Sequence, residues 1–171
     1  FIYECQAITK SGRIVHLELN TTYIDYQGHP ATFIIMRDLT DRKSIEHELE
    51  KSRMRYKNLI ESIQEGLYVI QDQQFVFLND SIVNLVGYNV DELINHNFIE
   101  IISPEHRAKS IDIHLRRIKG ELVETDLEID LLHKDGKTRI PVIVSSTLTE
   151  FEGRPAVVGT AKDISERIRA E

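Results

Sequence analysis

The sequence has one cysteine, no tryptophan, no long apolar run and no extended basic cluster. With Cys5 alone, no internal disulfide can form, and this suits a reducing compartment. No apolar run approaches the roughly 20 residues of a membrane span, so any such segment would lie outside this chain. The net charge is −7, and phosphate binding needs clustered Lys and Arg, so we expect no nucleic-acid surface.

Motifs of catalysis and metal binding are also missing. The eight glycines include no phosphate-binding loop, and Ser145-Ser146 lacks the glycine-flanked turn of a hydrolase nucleophile. The carboxylates after Gly120 alternate with apolar residues and form a solvated face. The histidines without a partner at metal-site spacing are interpreted as scattered surface residues: His16, His29, His47, His96, His106 and His133. We therefore predict no metal site and no catalytic activity for this chain.

A short signal occurs twice in the sequence. Residues 38–42 (DLTDR) and 163–167 (DISER) each close a strand-rich stretch and open a charged, helix-prone one. The offset is 163 − 38 = 125, and the turns at 28–31 and 153–156 repeat at the same offset. A constant offset over about forty residues indicates an internal repeat. We predict one complete unit and the tail of another, and because the chain begins in mid-pattern we expect it to be a piece of a longer protein.

Residues 1–42 are predicted to form the last strands of the truncated unit. The strands are expected at 1–10, 13–26 and 31–37, separated by turn-forming residues. Three strands bury little apolar surface on their own, so we expect a linker helix or a second copy of the chain to cover residues 1–37.

A linker helix is predicted at 43–55, within a segment rich in Glu, Lys and Arg and free of Gly and Pro. A rough 4-3 spacing typical of a short coiled coil is formed by Ile45, Leu49, Ser52, Tyr56, Leu59 and Ile63. Gly66 is expected to end this helix just past its last turn.

Residues 56–167 are predicted to form the complete unit. In order, we expect strands at 67–71 and 75–78, short helices, a longer helix from Ser103-Pro104-Glu105 to about Lys119, and strands at 123–131, 139–149 and 156–162. Hairpins at both ends predict an antiparallel sheet with helices on one face, which is an α+β fold. Residues 168–171 would begin an outgoing helix.

Several short segments of this unit occur in a characteristic order. They are Asn79 before a helix, 85–88 (LVGY), 91–93 (DEL), 102–106 (ISPEH), 134–136 (KDG), 140–142 (IPV) and the closing DISER. This order resembles the PAS family of sensory domains over residues 56–167. The resemblance implies a five-stranded antiparallel sheet, helices that enclose a cavity, and a helix that leaves the last strand toward an output domain.

The implied cavity should be lined by the apolar faces of the strands and of the longer helix. The candidates are Val69, Phe77, Leu85, Phe98, Ile102, Ile111, His114, Leu115, Leu127, Ile129, Val144 and Val158. Any cofactor is unknown from the sequence, and a small organic ligand or none is expected in the cavity.

Haem and adduct-forming flavin are disfavoured by the same resemblance. In haem-binding members of the family the ligand histidine sits about one turn before His114, where this chain has Ser110. Flavin photosensors of the family carry a reactive cysteine in the stretch that is 95–98 here, and Cys5 is far from it. The lack of tryptophan argues against redox-flavin relatives.

The repeated motif is predicted to couple sheet and helix. A helix begins with unpaired N–H groups, and an acid or hydroxyl there can cap them, at about 1 kcal/mol. The signal-transmission candidates are Asp38, Thr40, Arg42, Asp163, Ser165 and Arg167. Asp163 and Arg167 are expected to form a polar clasp.

The resemblance implies a sensory module that relays a ligand or state through helical linkers to an output domain. The expected output is a histidine kinase in a two-component phosphorelay, and the expected partners are a second copy of the chain, that output domain and a small organic ligand. A ligand-free dimerisation and relay module is the alternative, and a diguanylate cyclase, a chemoreceptor or a transcription regulator are alternative parents. The expected location is the cytoplasm, or the cytoplasmic portion of a membrane-anchored sensor.

Overall fold

A computed structural model describes residues 1–170, and Glu171, the last residue of the expected outgoing helix, lies outside the described residues. The chain divides into two units, Phe1–Lys57 and Asn58–Glu171. Over residues 1–170, no helix combines the length and the apolarity that a membrane crossing requires.

The first unit contains a three-stranded antiparallel sheet that is followed by a long helix. Its elements, with strand order β1-β2-β3, are β1 (Ile2–Ile8), β2 (Ile14–Tyr26), β3 (His29–Asp38) and α1 (Thr40–Glu61). The helix extends beyond the predicted linker at both ends. Val15 is the one buried residue of positions 1–57, so the sheet has no core of its own.

The second unit contains a five-stranded antiparallel sheet in the order β5-β4-β8-β7-β6. Its strands are β4 (Gly66–Gln71), β5 (Gln74–Leu78), β6 (Asp126–Leu132), β7 (Arg139–Phe151) and β8 (Arg154–Asp163). Its helices are α2 (Asp80–Val86), α3 (Val90–Leu93), a 3₁₀ helix (Phe98–Ile101), α4 (Pro104–Ile118) and α5 (Ser165–Ala170). The predicted α+β fold, with a five-stranded sheet after a three-stranded one, is confirmed.

The three strands of the first sheet match the last three strands of the second in length and order. β2 and β7 have 13 residues each and start 139 − 14 = 125 positions apart, and β3 and β8 have 10 residues each and start 154 − 29 = 125 apart. β1 and β6 have 7 residues each and start 126 − 2 = 124 apart. The strand lengths therefore follow the sequence repeat, while the origin of residues 1–42 in a second unit stays a prediction.

Helix α2 is fixed at both ends by residues that the sequence marks. The buried Asn79 accepts hydrogen bonds at its Oδ1 from the backbone N–H of Leu67 at 2.8 Å and of Ile82 at 3.3 Å. Its Nδ2 donates to the Glu65 carbonyl at 3.0 Å. Gly87 ends the helix in the left-handed region, with a φ of 77°. Asn79 thus ties α2 to strand β4 and to the segment before it.

Gly66 does not end helix α1, and this expectation from the sequence was wrong. The helix ends at Glu61, and Gly66 is the first residue of β4. A Cβ atom at Gly66 would lie 2.7 Å from the Cβ of Ile82, closer than real Cβ atoms approach. The glycine is therefore needed because α2 packs directly on the start of β4.

The core of the second unit lies between its sheet and its helices. The largest fully buried apolar side chains are Ile82, Val86, Leu93, Val142 and Val157. Each such side chain contributes about 1.5–3 kcal/mol by burial. Strand β6 begins at Asp126 rather than at the predicted 123, so residues 121–125 are a connection between α4 and the sheet.

Candidate functional site

The core of the second unit contains a partly open cavity of about 70 Å³ between the inner face of the sheet and helices α2 and α4. Its apolar wall is formed by Ile70, Phe75, Ile82, Phe98, Ile101, Ile102, Ile113, Leu127, Ile129, Leu131, Val144, Val157 and Ala161. Its polar or charged members are Tyr68, Ser110, His114, Arg117, Thr125 and Ser146. A dry cavity of about 150 Å³ is large enough for benzene, so this one suits a ligand of a few heavy atoms or a group of waters.

The structure places half of the predicted cavity residues in the wall. Those that line it are Phe98, Ile102, His114, Leu127, Ile129 and Val144. Those that lie outside the wall are Val69, Phe77, Leu85, Ile111, Leu115 and Val158. Leu85 and Ile111 pack against the core elsewhere, and Leu115 is 41% exposed. None of these placements tests whether a ligand binds.

The side chains on β4, β5 and β8 face the opposite way from the prediction. Val69 pairs with Val158 across β4 and β8, and both are only partly buried on the outer face. On β5 a bulge leaves Val76 unpaired, so that Phe77 pairs with Val69 and Phe75 pairs with Ile70. Because the bulge changes the alternation, Phe75 points into the cavity and Phe77 does not.

A row of polar side chains crosses the inner face of the sheet. Gly159 pairs with Tyr68 on one side and with Ser146 on the other, and the Ser146 N–H donates to the Thr125 carbonyl at 3.0 Å. A Cβ atom at Gly159 would collide with the Tyr68 hydroxyl. Because Gly159 has no side chain, the Tyr68 phenol can lie across β8, where its Oη is 2.6 Å from the Ser146 Oγ.

This polar row was missed at the level of the sequence, because its members lie on separate strands. Two local signals point to it. A glycine inside an apolar strand, such as Gly159, often marks a close approach of another group. Ser146 occupies an inward position of β7, where it is buried among apolar residues.

Helix α4 contributes His114 to the cavity. Its ring lies 4.8 Å from the Phe98 ring, centroid to centroid, and the residue is 5% exposed. Among the described residues, no hydrogen-bond partner is found for the imidazole nitrogens. Burial lowers the pKa of His114 below its usual value, and the nearby Arg117 charge lowers it further. The imidazole is therefore neutral near pH 7, with one donor and one acceptor.

Arg117 lies one turn beyond His114 and also lines the cavity. Its guanidinium donates from Nη2 to the Glu124 carbonyl at 2.5 Å, and in the described part of the chain it has no carboxylate partner. Burial lowers the pKa of Arg117, and burial raises the pKa of Tyr68, which remains a neutral phenol. The cavity thus carries one cation, and no Asp or Glu lines it.

The two copies of the repeated motif form matching helix starts. The Asp38 carboxylate accepts from the Thr40 N–H at 2.8 Å, and the Asp163 carboxylate accepts from the Ser165 N–H at 2.8 Å. The hydroxyl of Thr40 also donates to Asp38 and holds the pKa of that acid below its usual value. Both motifs therefore cap a helix, as predicted from their residue types.

The arginines of the two motifs lie away from these caps. Arg167 pairs with Glu128 on β6 at 2.8 Å, so the predicted clasp between Asp163 and Arg167 was wrong. Arg42 pairs with Glu46 at 3.0 Å, one turn along α1. All four charged side chains of these pairs are largely exposed, so each pair contributes at most about 1 kcal/mol.

The two helix starts differ by two hydrogen bonds, both of the Thr40 hydroxyl: one to Asp38 and one from the His16 N–H. In both units, the residue after the aspartate donates its backbone N–H to a neighbouring strand. Leu39 donates to the His16 carbonyl on β2 at 2.8 Å, and Ile164 donates to the Pro141 carbonyl on β7 at 3.0 Å. The His16 N–H then donates to the Thr40 Oγ1 at 3.0 Å. Pro141 has no N–H, so the second unit cannot form this bond.

One group of side chains has the geometry of a metal site. The ligand atoms of Glu105, His106 and Asp130 lie within 4.8 Å of one another. The Arg139 guanidinium already forms an ion pair with Glu105, so a cation is present beside the group. These contacts explain the cluster as a structural ion-pair network.

Comparisons with known proteins agree with this architecture. The model of the protein family described as PAS fold matches residues 54–164 of this chain. The PAS domain of an HTR-like protein from Haloarcula marismortui superposes with a TM-score of 0.58 at 20% identity, over 71% of this chain and 99% of that one. This likeness supports the fold.

Two curated relatives are signalling proteins by name. Sporulation kinase A of Bacillus subtilis is 27% identical over 162 residues, which are 94% of this chain and 26% of that protein. The methyl sulfide methyltransferase-associated sensor of Methanosarcina acetivorans is 29% identical over 125 residues, which are 72% of this chain and 12% of that protein. The chain thus spans about a quarter or less of these relatives.

Proposed function

This chain belongs to the PAS family, and from that premise we propose that residues 56–167 detect a small ligand in the core cavity and relay its presence through α5. The receiver is the output domain of the same polypeptide, a histidine kinase of a two-component phosphorelay. The likeness to Sporulation kinase A supports this choice over a cyclase, a chemoreceptor or a transcription regulator. In this proposal the chain is a non-catalytic, cytoplasmic module, and the kinase chemistry lies elsewhere in the parent.

The observation that carries the proposal is that an otherwise apolar cavity wall holds a neutral histidine, His114, and a cation, Arg117, whose protein partner up to residue 170 is only the Glu124 carbonyl. Buried polar groups in native proteins nearly always have a hydrogen-bond partner. A ligand or an ordered water that fills the cavity would supply the partner that the protein does not.

The test is a thermal-shift screen of the purified chain against small metabolites, with native mass spectrometry for a carried ligand. A ligand at 100 times its Kd stabilises by about 2.7 kcal/mol. Val144→Phe fills the cavity and should abolish the shift, whereas Val158→Phe, on the outer face of the sheet, should retain it. Circular dichroism checks that both variants fold. An unchanged shift in Val144→Phe would place the ligand outside the cavity.

A ligand-free relay that works by dimerisation is the second candidate. The exposed apolar residues of α1 favour it, because Ile45, Leu49 and Leu59 are 69%, 52% and 57% exposed and follow the 4-3 spacing. A second copy of the chain would cover this stripe and the first sheet. Light scattering at several concentrations should then give a dimer mass that Leu49→Glu reduces and Glu48→Gln does not. A monomer at all concentrations would exclude this candidate.

A further inference from the structure

The cavity wall presents hydrogen-bond donors around a single cation, and we propose that its ligand is a small carboxylate with a short apolar body. Arg117 and His114 would hold the carboxylate, and Leu127 and Val144 would contact the body. This inference rests on the proposed function and names the ligand class for the same site.

The charge at the cavity is the first argument. Arg117 offers five N–H donors, and its one protein partner within residues 1–170 is the backbone carbonyl of Glu124. A partly buried cation without a counter-ion is costly, and a bound anion would relieve this cost. Planar guanidinium groups bind carboxylates through two parallel hydrogen bonds, so a carboxylate fits the free edge of Arg117.

The remaining polar groups also favour an acceptor. Tyr68 and Ser146 share one hydrogen bond, which uses one of their two hydroxyl protons and leaves the other free to donate. The neutral His114 adds one more N–H. Ser110 already donates to the His106 carbonyl at 2.8 Å, so it contributes little. A ligand with two acceptor oxygens satisfies this set better than a cation or an amine would.

The size and the wall chemistry limit the rest of the ligand. The volume of about 70 Å³ excludes drug-sized molecules. The walls beyond the polar row are apolar, with Leu127 and Val144 beside Ile113. Inorganic phosphate would leave these walls without an apolar partner and would bring a second negative charge. Monocarboxylates with two to four carbons are therefore the expected class.

The experiment is isothermal titration calorimetry of the chain with acetate, propionate and butyrate. Propionamide serves as the neutral analogue and inorganic phosphate as the non-carboxylate anion. We expect at least one monocarboxylate to bind, and propionamide to bind about tenfold or more weakly, because it lacks the charge-assisted hydrogen bonds. Arg117→Gln should weaken binding by about tenfold or more for the same reason.

Arg116→Gln is the matched control. Arg116 is the neighbour of Arg117 on α4, but it pairs with Glu121 at 2.8 Å and does not line the cavity. The Arg116→Gln substitution removes the same charge as Arg117→Gln. Equal weakening of carboxylate binding by both variants would therefore indicate a general charge effect and overturn the inference. Equal binding of propionate and propionamide would overturn it as well.

The outcomes also separate this inference from the proposed function. If neutral metabolites bind and Val144→Phe blocks them while no carboxylate binds, the sensory function stands and the carboxylate assignment fails. If no small molecule binds and no ligand is carried, both fail and the ligand-free relay is favoured. Circular dichroism of Arg117→Gln tests whether a loss of affinity is caused by unfolding of the variant.

Discussion

Substitution of Gly159 by alanine should destabilise the second unit through its effect on Tyr68. The new Cβ would lie where the Tyr68 hydroxyl and ring now lie, and 2.8 Å from the Ser145 carbonyl. The phenol must move, because the backbone carbonyl on the other side of the Cβ is held in the ladder between β7 and β8. The hydrogen bond between Tyr68 and Ser146 is then lost.

The expected magnitude combines three effects. Overpacking in a dense core costs about 1–3 kcal/mol. Loss of one buried hydrogen bond costs about 1 kcal/mol. In the opposite direction, replacing glycine by alanine in a strand stabilises the fold by about 0.5–1 kcal/mol, because the unfolded chain loses conformational freedom. The free energy of unfolding should therefore fall by about 2 kcal/mol, measured by urea denaturation at constant m-value.

A double-mutant cycle isolates the cause. In a Tyr68→Leu background, the side chain that Gly159 accommodates is shorter and carries no hydroxyl, so Gly159→Ala should cost much less. A coupling of at least about 1 kcal/mol is expected for groups in direct contact. Additive losses would refute the close approach of the phenol to Gly159. Carboxylate affinity, measured alongside, should fall in Gly159→Ala because the free hydroxyl donor moves.

Three further predictions concern the caps and the buried histidine. Asp163→Ala removes the acceptor for the Ser165 N–H and should lower the free energy of unfolding by about 1 kcal/mol in urea denaturation. Asn79→Ala leaves three backbone groups without their partner and should cost about 2–3 kcal/mol in the same assay; a loss no larger than that of Asp163→Ala would contradict its bridging role. The folded-state pKa of His114 is lowered, so the unfolded chain binds a proton at this residue at a higher pH than the folded chain does. The contribution of the neutral His114 to the free energy of unfolding is therefore complete above about pH 6.5 and decreases as the pH falls toward the folded-state pKa. His114→Gln should flatten this slope of Tm between pH 7.5 and 5, and an unchanged slope would assign it to other groups.

The elements of the fold could be predicted because their signals are local. Asn79 and Gly87 bracket α2, and Pro104 marks the first residue of α4, although the Ser103 side chain makes no capping hydrogen bond. The repeat indicated where the last three strands lie to within about three residues at each end, because turn residues recur at the same offset. Such signals depend on a few neighbouring backbone groups, which are the same in any tertiary context.

The orientation of side chains could not be predicted in the same way. The bulge at Val76 depends on pairing between β4 and β5, and nothing in the sequence of β5 alone requires it. The role of Gly66 depends on how closely α2 approaches β4. The polar row of Tyr68 and Ser146 needs three strands in register. Six of the twelve predicted cavity residues lie outside its wall, although the strands and helices that carry them were recognised.

The difference between the two helix starts bears on the proposed relay. α1 begins with the Asp38 cap, a backbone bond and two further bonds of the Thr40 hydroxyl, one to Asp38 and one from the His16 N–H. α5 begins with the cap and the backbone bond, and Pro141 provides no N–H for a bond to the Ser165 hydroxyl. A hydrogen bond of this kind contributes about 1 kcal/mol, which changes the population of a detached helix start by about fivefold. Since Pro141 lies on β7, three residues before the cavity residue Val144, a small shift of that strand in the proposed relay would act on the bond from the Ile164 N–H to the Pro141 carbonyl, one of the two bonds that hold the start of α5.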